Sequence, residues 1–249
     1  MIVGVHSPEF EFEKKKENVI QAMSDFGITY PVVQDNEFKI WRAYSNRYWP
    51  AHYLIDKEGR ARYTHFGEGK YQETENKIRE LLGEEPMVVT GEDRTTGPRR
   101  SQTLETYLGY GRAESYSYQL GIKIDEAKDY SFEQLLGDDN VALSGRWTVR
   151  EEHVRAEENN AVLTLNFLAQ KVHLVLASED QTEKKVRVLL NGKPLPQKYW
   201  TTDMNEQGEI VVSGARKYDI IDLGEGYGRY DLDLVFDNGI EAYAFTFGS

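Results

Sequence analysis

The chain has 249 residues, with 30 basic and 42 acidic side chains, a net charge of −12 and no cysteine. That balance argues against a binder of phosphate backbones, which needs a clustered basic footprint, and the missing thiols exclude disulfides, thiolate metal sites and dithiol chemistry within these residues. No apolar run approaches the roughly 20 residues of a membrane helix, and no basic-then-apolar leader opens the sequence.

Residues 2–6 (Ile-Val-Gly-Val-His) read as a short buried strand closed by Ser7-Pro8-Glu9. A helix is predicted over 13–26, with Val19, Ile20, Met23 and Phe26 on one stripe and Gly27 as its stop. Residues 30–34 form a second strand, and Asp35-Asn36 can cap a helix over 37–45 that presents Phe38, Trp41 and Tyr44 at helical spacing. Pro50 cannot donate to a sheet ladder, so it opens a strand or lies on an edge. After it, Tyr53 and Ile55 alternate with His52 and Leu54, and an Asp56-Lys57-Glu58-Gly59 turn leads to a second strand over 61–66. That pattern makes an antiparallel hairpin. Gly67-Glu68-Gly69 breaks the chain before an amphipathic helix over 71–82, so the order is β-α-β-α-β-β-α.

The segments Gly4-Val5-His6-Ser7-Pro8-Glu9-Phe10, Tyr30-Pro31-Val32-Val33-Gln34-Asp35-Asn36, Tyr48-Trp49-Pro50-Ala51 and Gly67-Glu68-Gly69-Lys70-Tyr71 carry a family resemblance. Residues 1–83 are similar to the thioredoxin-like region of DipZ-type proteins, relatives of cytochrome c biogenesis factors. The resemblance implies that Pro50 is the cis-proline of a thioredoxin-like hairpin and that Trp49 and Pro50 rim the substrate groove. It also implies an extracytoplasmic, periplasmic setting and a protein thiol or disulfide partner. The family's Trp-Cys-x-x-Cys site maps onto no residue here. Its central strand, between the strand at 2–6 and the Pro50 hairpin, has no counterpart either. Two pieces of sheet would then flank an open slot, with unpaired backbone on both sides. Another polypeptide fills it, or these residues pack differently. Trp41, Tyr44, Tyr48 and Trp49 are many aromatics for so small a sheet, and are expected to be covered by the second domain or by another chain.

Residues 84–103 are poor in apolar side chains and hold Pro86, Gly91, Gly97 and Pro98, which marks a linker. From residue 104 onward the period is that of strands. Leu163, Leu165 and Phe167 alternate with Val162, Thr164 and Asn166, and Tyr230, Leu232, Leu234 and Phe236 alternate with Asp231 and Asp233. Val186 to Leu190 runs into Asn191-Gly192, a strong hairpin signal. Tyr243, Phe245 and Phe247 are read as facing one way. Residues 104–249 are therefore expected to form a β-sandwich of the jelly-roll type. The fold class is α/β plus all-β, a partial thioredoxin-like fold followed by that sandwich. Thr106-Tyr107-Leu108-Gly109-Tyr110, Leu143-Ser144-Gly145-Arg146-Trp147 and residues 241–248 resemble the C-terminal domain of the same family, a sandwich shaped like carbohydrate-binding modules.

Tyr107, Tyr110 and Trp147, with Tyr116 and Tyr118, are candidate platforms for stacking on a sugar ring, against the plainer alternative that they fill the core. Asp125, Glu126, Asp129, Asp138, Asp139 and Asn140 offer oxygen ligands of the kind calcium takes, but at the spacing of no complete calcium loop, so a solvated acidic surface is favoured. His6, His52, His65, His153 and His173 lack the i, i+4 pair of a zinc helix, and no metal or cofactor is expected. Without a thiol, no catalytic residue is assigned. Two roles follow: a non-catalytic portion of an extracytoplasmic thiol–disulfide oxidoreductase, or a glycan- or protein-binding sandwich on a thioredoxin-like scaffold.

Overall fold

A computed structural model describes residues 1–87, 101–113, 121–132 and 136–248. The chain divides into two compact units, Met1–Arg99 and Arg100–Ser249. Most of the predicted linker, together with Tyr116 and Tyr118, lies outside the described residues.

In the first unit, β1 (Gly4–His6) is followed by a 3-10 turn and α1 (Lys16–Asp25), then β2 (Val32–Gln34), α2 (Lys39–Ala43), β3 (Ala51–Ile55), β4 (Ala61–Phe66) and α3 (Tyr71–Leu82). The predicted order holds, and α3 has the predicted bounds. The helix expected over 13–26 starts later, because Glu11–Lys14 winds as a 3-10 turn and Lys15 is extended. The helix expected over 37–45 shrinks to five residues, since Phe38 takes a left-handed backbone and Tyr44 leaves helical geometry.

β1 pairs in parallel with β2, and β3 pairs antiparallel with β4, as two separate two-stranded sheets. This arrangement leaves each sheet too small to close a core. Among the described residues of this unit the buried apolar side chains are Pro8, Phe10 and Val19, while Val3, Val5, Val33, Ile55 and Phe66 are exposed. Outside it, the exposed large apolar side chains among the described residues are Leu104 and Ile124.

The second unit contains β5 (Thr106–Tyr107), β6 (Lys128–Tyr130), β7 (Val141–Val149), β8 (Val154–Ala156), β9 (Ala161–Ala169), β10 (Lys171–Ser178), β11 (Lys184–Leu190), β12 (Lys193–Pro194), β13 (Glu209–Val212), β14 (Arg216–Asp222), β15 (Gly228–Phe236) and β16 (Ile240–Gly248). All pairings between them are antiparallel. β7 joins two layers. Its first half, Val141 to Ser144, pairs with β9, and its second half pairs with β8 and β6. The switch falls at Gly145, whose φ of 86° suits glycine and where a Cβ would lie 3.1 Å from Ala161 Cα. One layer then runs β11-β15-β9, the other β8-β16-β10-β14.

The alternating residues do what the period of two requires. Leu163, Leu165, Phe167, Val172, Leu174, Leu176, Leu232, Leu234 and Phe236 all point into one core and are essentially inaccessible. Rings from opposite layers meet there: Trp147 against Phe236 at 5.2 Å and Phe167 against Phe247 at 6.4 Å. Asn191 and Gly192, with φ of 51° and 71°, form the two-residue turn between β11 and β12. Tyr243 departs from expectation. A bulge in the β10–β16 ladder inserts a residue, so Tyr243 leaves the stripe of Phe245 and Phe247 and lies tilted against His153, ring centroids 4.8 Å apart, instead.

Two half-buried histidines of the sandwich make its stability depend on pH. Burial, reinforced by Arg150 and Arg155 against the pull of Glu241, holds the His153 imidazole below the ordinary histidine value. Burial and Lys217 outweigh Asp219 in lowering His173. A lowered histidine favours the neutral ring in the folded state. Its contribution is therefore complete above the unfolded value of about 6.5 and is lost as pH falls below it. Urea midpoints measured between about pH 7.5 and 5 are expected to fall with acidification, and to fall less in a His153→Gln, His173→Gln variant. A flat or rising midpoint would contradict this.

Candidate functional site at the head of the hairpin

The candidate groove residues sit where β3 begins. The Trp49–Pro50 peptide is cis, and Gly67 N donates to Pro50 O at 2.8 Å, closing the open end of the β3–β4 hairpin. The Trp49 indole N–H donates to Ser7 O at 3.1 Å, which ties the end of β1 to the start of β3. Its ring lies 4.3 Å from that of Trp41, yet Trp49 remains 46% exposed. Tyr44 packs on Tyr53 at 5.0 Å and Tyr48 on Phe66 at 5.7 Å, both tyrosines also keeping open faces. The aromatics thus cover one another only in part.

Two carboxyl groups behind this edge were not marked as site residues by the sequence. Asp35 accepts the backbone N–H groups of Ile40 at 3.0 Å and Trp41 at 2.8 Å, and the Ser7 hydroxyl at 3.4 Å. It caps α2 and aims the Trp41 ring. Burial opposes its charge, but the donated N–H groups and the Ser7 hydroxyl prevail and hold its carboxyl below the ordinary aspartate value. Asp35→Ala is expected to cost about 1 kcal/mol. Because the folded value is depressed, the contribution is present above the unfolded value of about 3.9 and is lost as pH falls below it. Chemical denaturation of both proteins at pH 7 and pH 3 checks this, and an equal difference at the two pH values would contradict it. Glu13 behaves oppositely: burial pushes its carboxyl up, against the Glu9 N–H that it accepts at 2.6 Å and the nearby His6. No motif flags Glu13, since its burial follows from a 3-10 turn that periodicity does not show.

In the second unit Trp147 is fully buried in the core, its indole N–H donating to Ser144 O at 2.9 Å. It offers no ring face to a ligand, so its reading as a sugar platform gives way to packing. Tyr107 and Tyr110 are half-buried on one segment. The Arg112 guanidinium sits 3.6 Å over the Tyr107 ring, and Tyr110 donates to Asp125 Oδ2 at 3.3 Å. The acidic residues meet cations: Asp125 with Arg150, Asp129 with Arg146, and Asp138 and Asp139 with Arg229. Among the described residues no three His, Asp or Glu side chains gather as metal ligands.

The profile of the family described as "Thioredoxin like C-terminal domain" matches residues 103–248, more than half of the chain. The chain belongs to this family. Protein DipZ of Mycobacterium bovis is 32% identical over 256 aligned positions, covering 99% of this chain and 34% of that protein, and protein DipZ of Mycobacterium tuberculosis gives the same values. The chain thus spans about a third of the length of these DipZ relatives. The thiol-disulfide oxidoreductase YkuV of Bacillus subtilis is 28% identical over 83 positions, 33% of this chain and 56% of that protein. Among solved structures, the carbohydrate-binding module CsCBM6-3 of Clostridium stercorarium, in complex with cellobiose, aligns with a TM-score of 0.29 and 15% identity, over 50% of this chain and 93% of that one. A likeness of that size carries no functional weight. No helix among the described residues is long and apolar enough to cross a membrane.

Proposed function

We propose that the first unit is the substrate-facing, dithiol-free portion of a thioredoxin-like thiol–disulfide oxidoreductase that works outside the cytoplasm. The redox cysteines come from a segment beyond these 249 residues, in the same polypeptide or in a partner. The observation that carries the reading is the pair of separate two-stranded sheets, neither of which pairs with a further strand among the described residues, and both of which carry exposed apolar side chains. A strand lying between β1 and β3 would pair with the edges of both that face it. The relation to YkuV and to the DipZ proteins supports a redox partner for this unit. In the completed sheet, Trp49 and Pro50 would stand at the rim, where an extended peptide adds to a strand edge through main-chain hydrogen bonds.

An insulin reduction assay tests this. The 249-residue chain alone is expected to stay at the level of a blank, because no thiol is available to attack a disulfide. The same chain joined to a segment bearing a Cys-x-x-Cys pair is expected to turn over. Turnover by the chain alone, or none by the joined protein when it is folded, would overturn the reading.

A second reading keeps the sandwich as a glycan- or protein-binding module. It rests on the half-exposed Tyr107 and Tyr110, and loss of binding to a glycan array in a Tyr107→Ala, Tyr110→Ala variant is its test.

A further inference from the structure

We propose that His52 and His65 form a two-imidazole site for a first-row transition-metal dication on the β3–β4 hairpin. The two residues are direct cross-strand partners in the antiparallel register. Their rings lie side by side, centroids 6.2 Å apart and only 20° from parallel. Opposed residues of an antiparallel pair hold their Cβ atoms about 4.5–5.5 Å apart, and imidazole nitrogens bind zinc at about 2.0–2.1 Å. The cross-strand spacing places both side chains within reach of one ion once each ring turns about its side-chain torsions to aim a nitrogen between them.

A second observation points to a ligand. His65 Nε2 is shut off from solvent and has no hydrogen-bond partner among the described residues. Buried polar atoms are paired in the great majority of cases, and an orphan carries the full cost of its desolvation. Tyr63, two residues earlier and so on the same face of β4, likewise buries its hydroxyl without a partner. His52 is exposed and gives an ion access from solvent. The frame is stiff at both ends of the hairpin. Asp56 accepts from Glu58 N at 3.0 Å and Arg60 N at 2.8 Å in the turn, and the Gly67–Pro50 bond closes the other end.

Imidazole donors suit Zn²⁺, Ni²⁺ and Cu²⁺ and discriminate against Mg²⁺ and Ca²⁺, which take oxygen. With two protein ligands, the remaining positions belong to water or to a donor from another molecule, so this is an open site rather than a closed structural one.

The test uses the full chain. Titration with Ni²⁺ or Zn²⁺ by calorimetry is expected to give one site per chain. Substoichiometric Cu²⁺ is expected to broaden the ring resonances of His52 and His65 before those of His6, His153 and His173. Because two linked donors act as one chelate, His52→Ala and His65→Gln should each weaken binding by at least about tenfold. A His153→Gln, His173→Gln variant should bind as the parent does. His52 is exposed, so its substitution leaves the fold intact and keeps the test decisive if His65→Gln fails to fold. Unchanged affinity in His52→Ala, first broadening at another histidine, or no binding by the parent chain would overturn the proposal.

Discussion

Replacing Trp147 by alanine is expected to destabilise the sandwich by about 3–5 kcal/mol, the range for emptying a fully buried large aromatic site. The indole has no accessible surface, meets Phe236 edge-on at 5.2 Å and lies on the half of β7 that pairs with both β6 and β8. Three losses combine. The transfer energy of the ring is forfeited, a cavity remains between strands whose ladders hold them in place, and Ser144 O loses the indole N–H it accepts. Trp147→Phe keeps most of the ring contact and is expected to cost clearly less. Urea denaturation with an unchanged slope, read as a shift of the midpoint, measures both. A loss below about 1 kcal/mol for the alanine variant would place the ring at a surface and revive its reading as a ligand platform.

Gly109→Ala is the second large effect, and it arises from a single methyl group. A Cβ built on Gly109 falls 2.2 Å from Glu152 C and 2.3 Å from Glu151 O. Both are backbone atoms, so no side-chain rotation relieves the overlap. The segment around Gly109 is held by Leu108 N to Tyr243 O at 2.7 Å, Tyr110 N to Arg150 O at 2.9 Å and Gly111 N to Glu151 O at 2.9 Å. Moving it away breaks at least the last two bonds and pulls Leu108, fully buried, toward solvent. A cost of at least about 2 kcal/mol is expected, with faster amide exchange at Tyr110 and Gly111 ahead of the rest of the sandwich. An alanine variant of parental stability would contradict the close approach.

Those two positions show what was legible in the sequence. Gly109 and Trp147 both lie in the segments by which the second unit resembles its family, and the structure supplies their physical reasons: a close backbone approach and a core ring. The strands of that unit could be read because inward residues such as Leu163, Leu165 and Phe167 repeat at a period of two that nothing interrupts. Tyr243 was misread because a bulge shifts the register without changing the composition of the stretch. The switch of β7 between layers was hidden for a related reason: Gly145 sits mid-strand and looks like a weak point until the strand's two sets of partners are known. In the first unit the order of elements was clear, and so was the hairpin. The His52–His65 juxtaposition follows from the register across the Asp56 turn, a cross-strand pairing that the i, i+4 spacing of a zinc helix does not show. The partial burial of Glu13 and the reach of Asp35 to α2 depend on tertiary geometry that local pattern does not carry.

On the proposed reading, β1 and β3 lack a strand between them. Amide hydrogen exchange on the 249-residue chain, with and without a joined Cys-x-x-Cys-bearing segment, distinguishes the possibilities. In the chain alone, the amides of Gly4–His6 and Ala51–Ile55 are expected to exchange at least about a hundredfold faster than those of Ala161–Ala169, because two-stranded sheets without a core open locally. With the segment joined, both strands are expected to slow by at least about tenfold while the sandwich stays as it was. First-unit strands already as protected as the sandwich in the chain alone, or unchanged when the segment is joined, would mean that no strand is missing there.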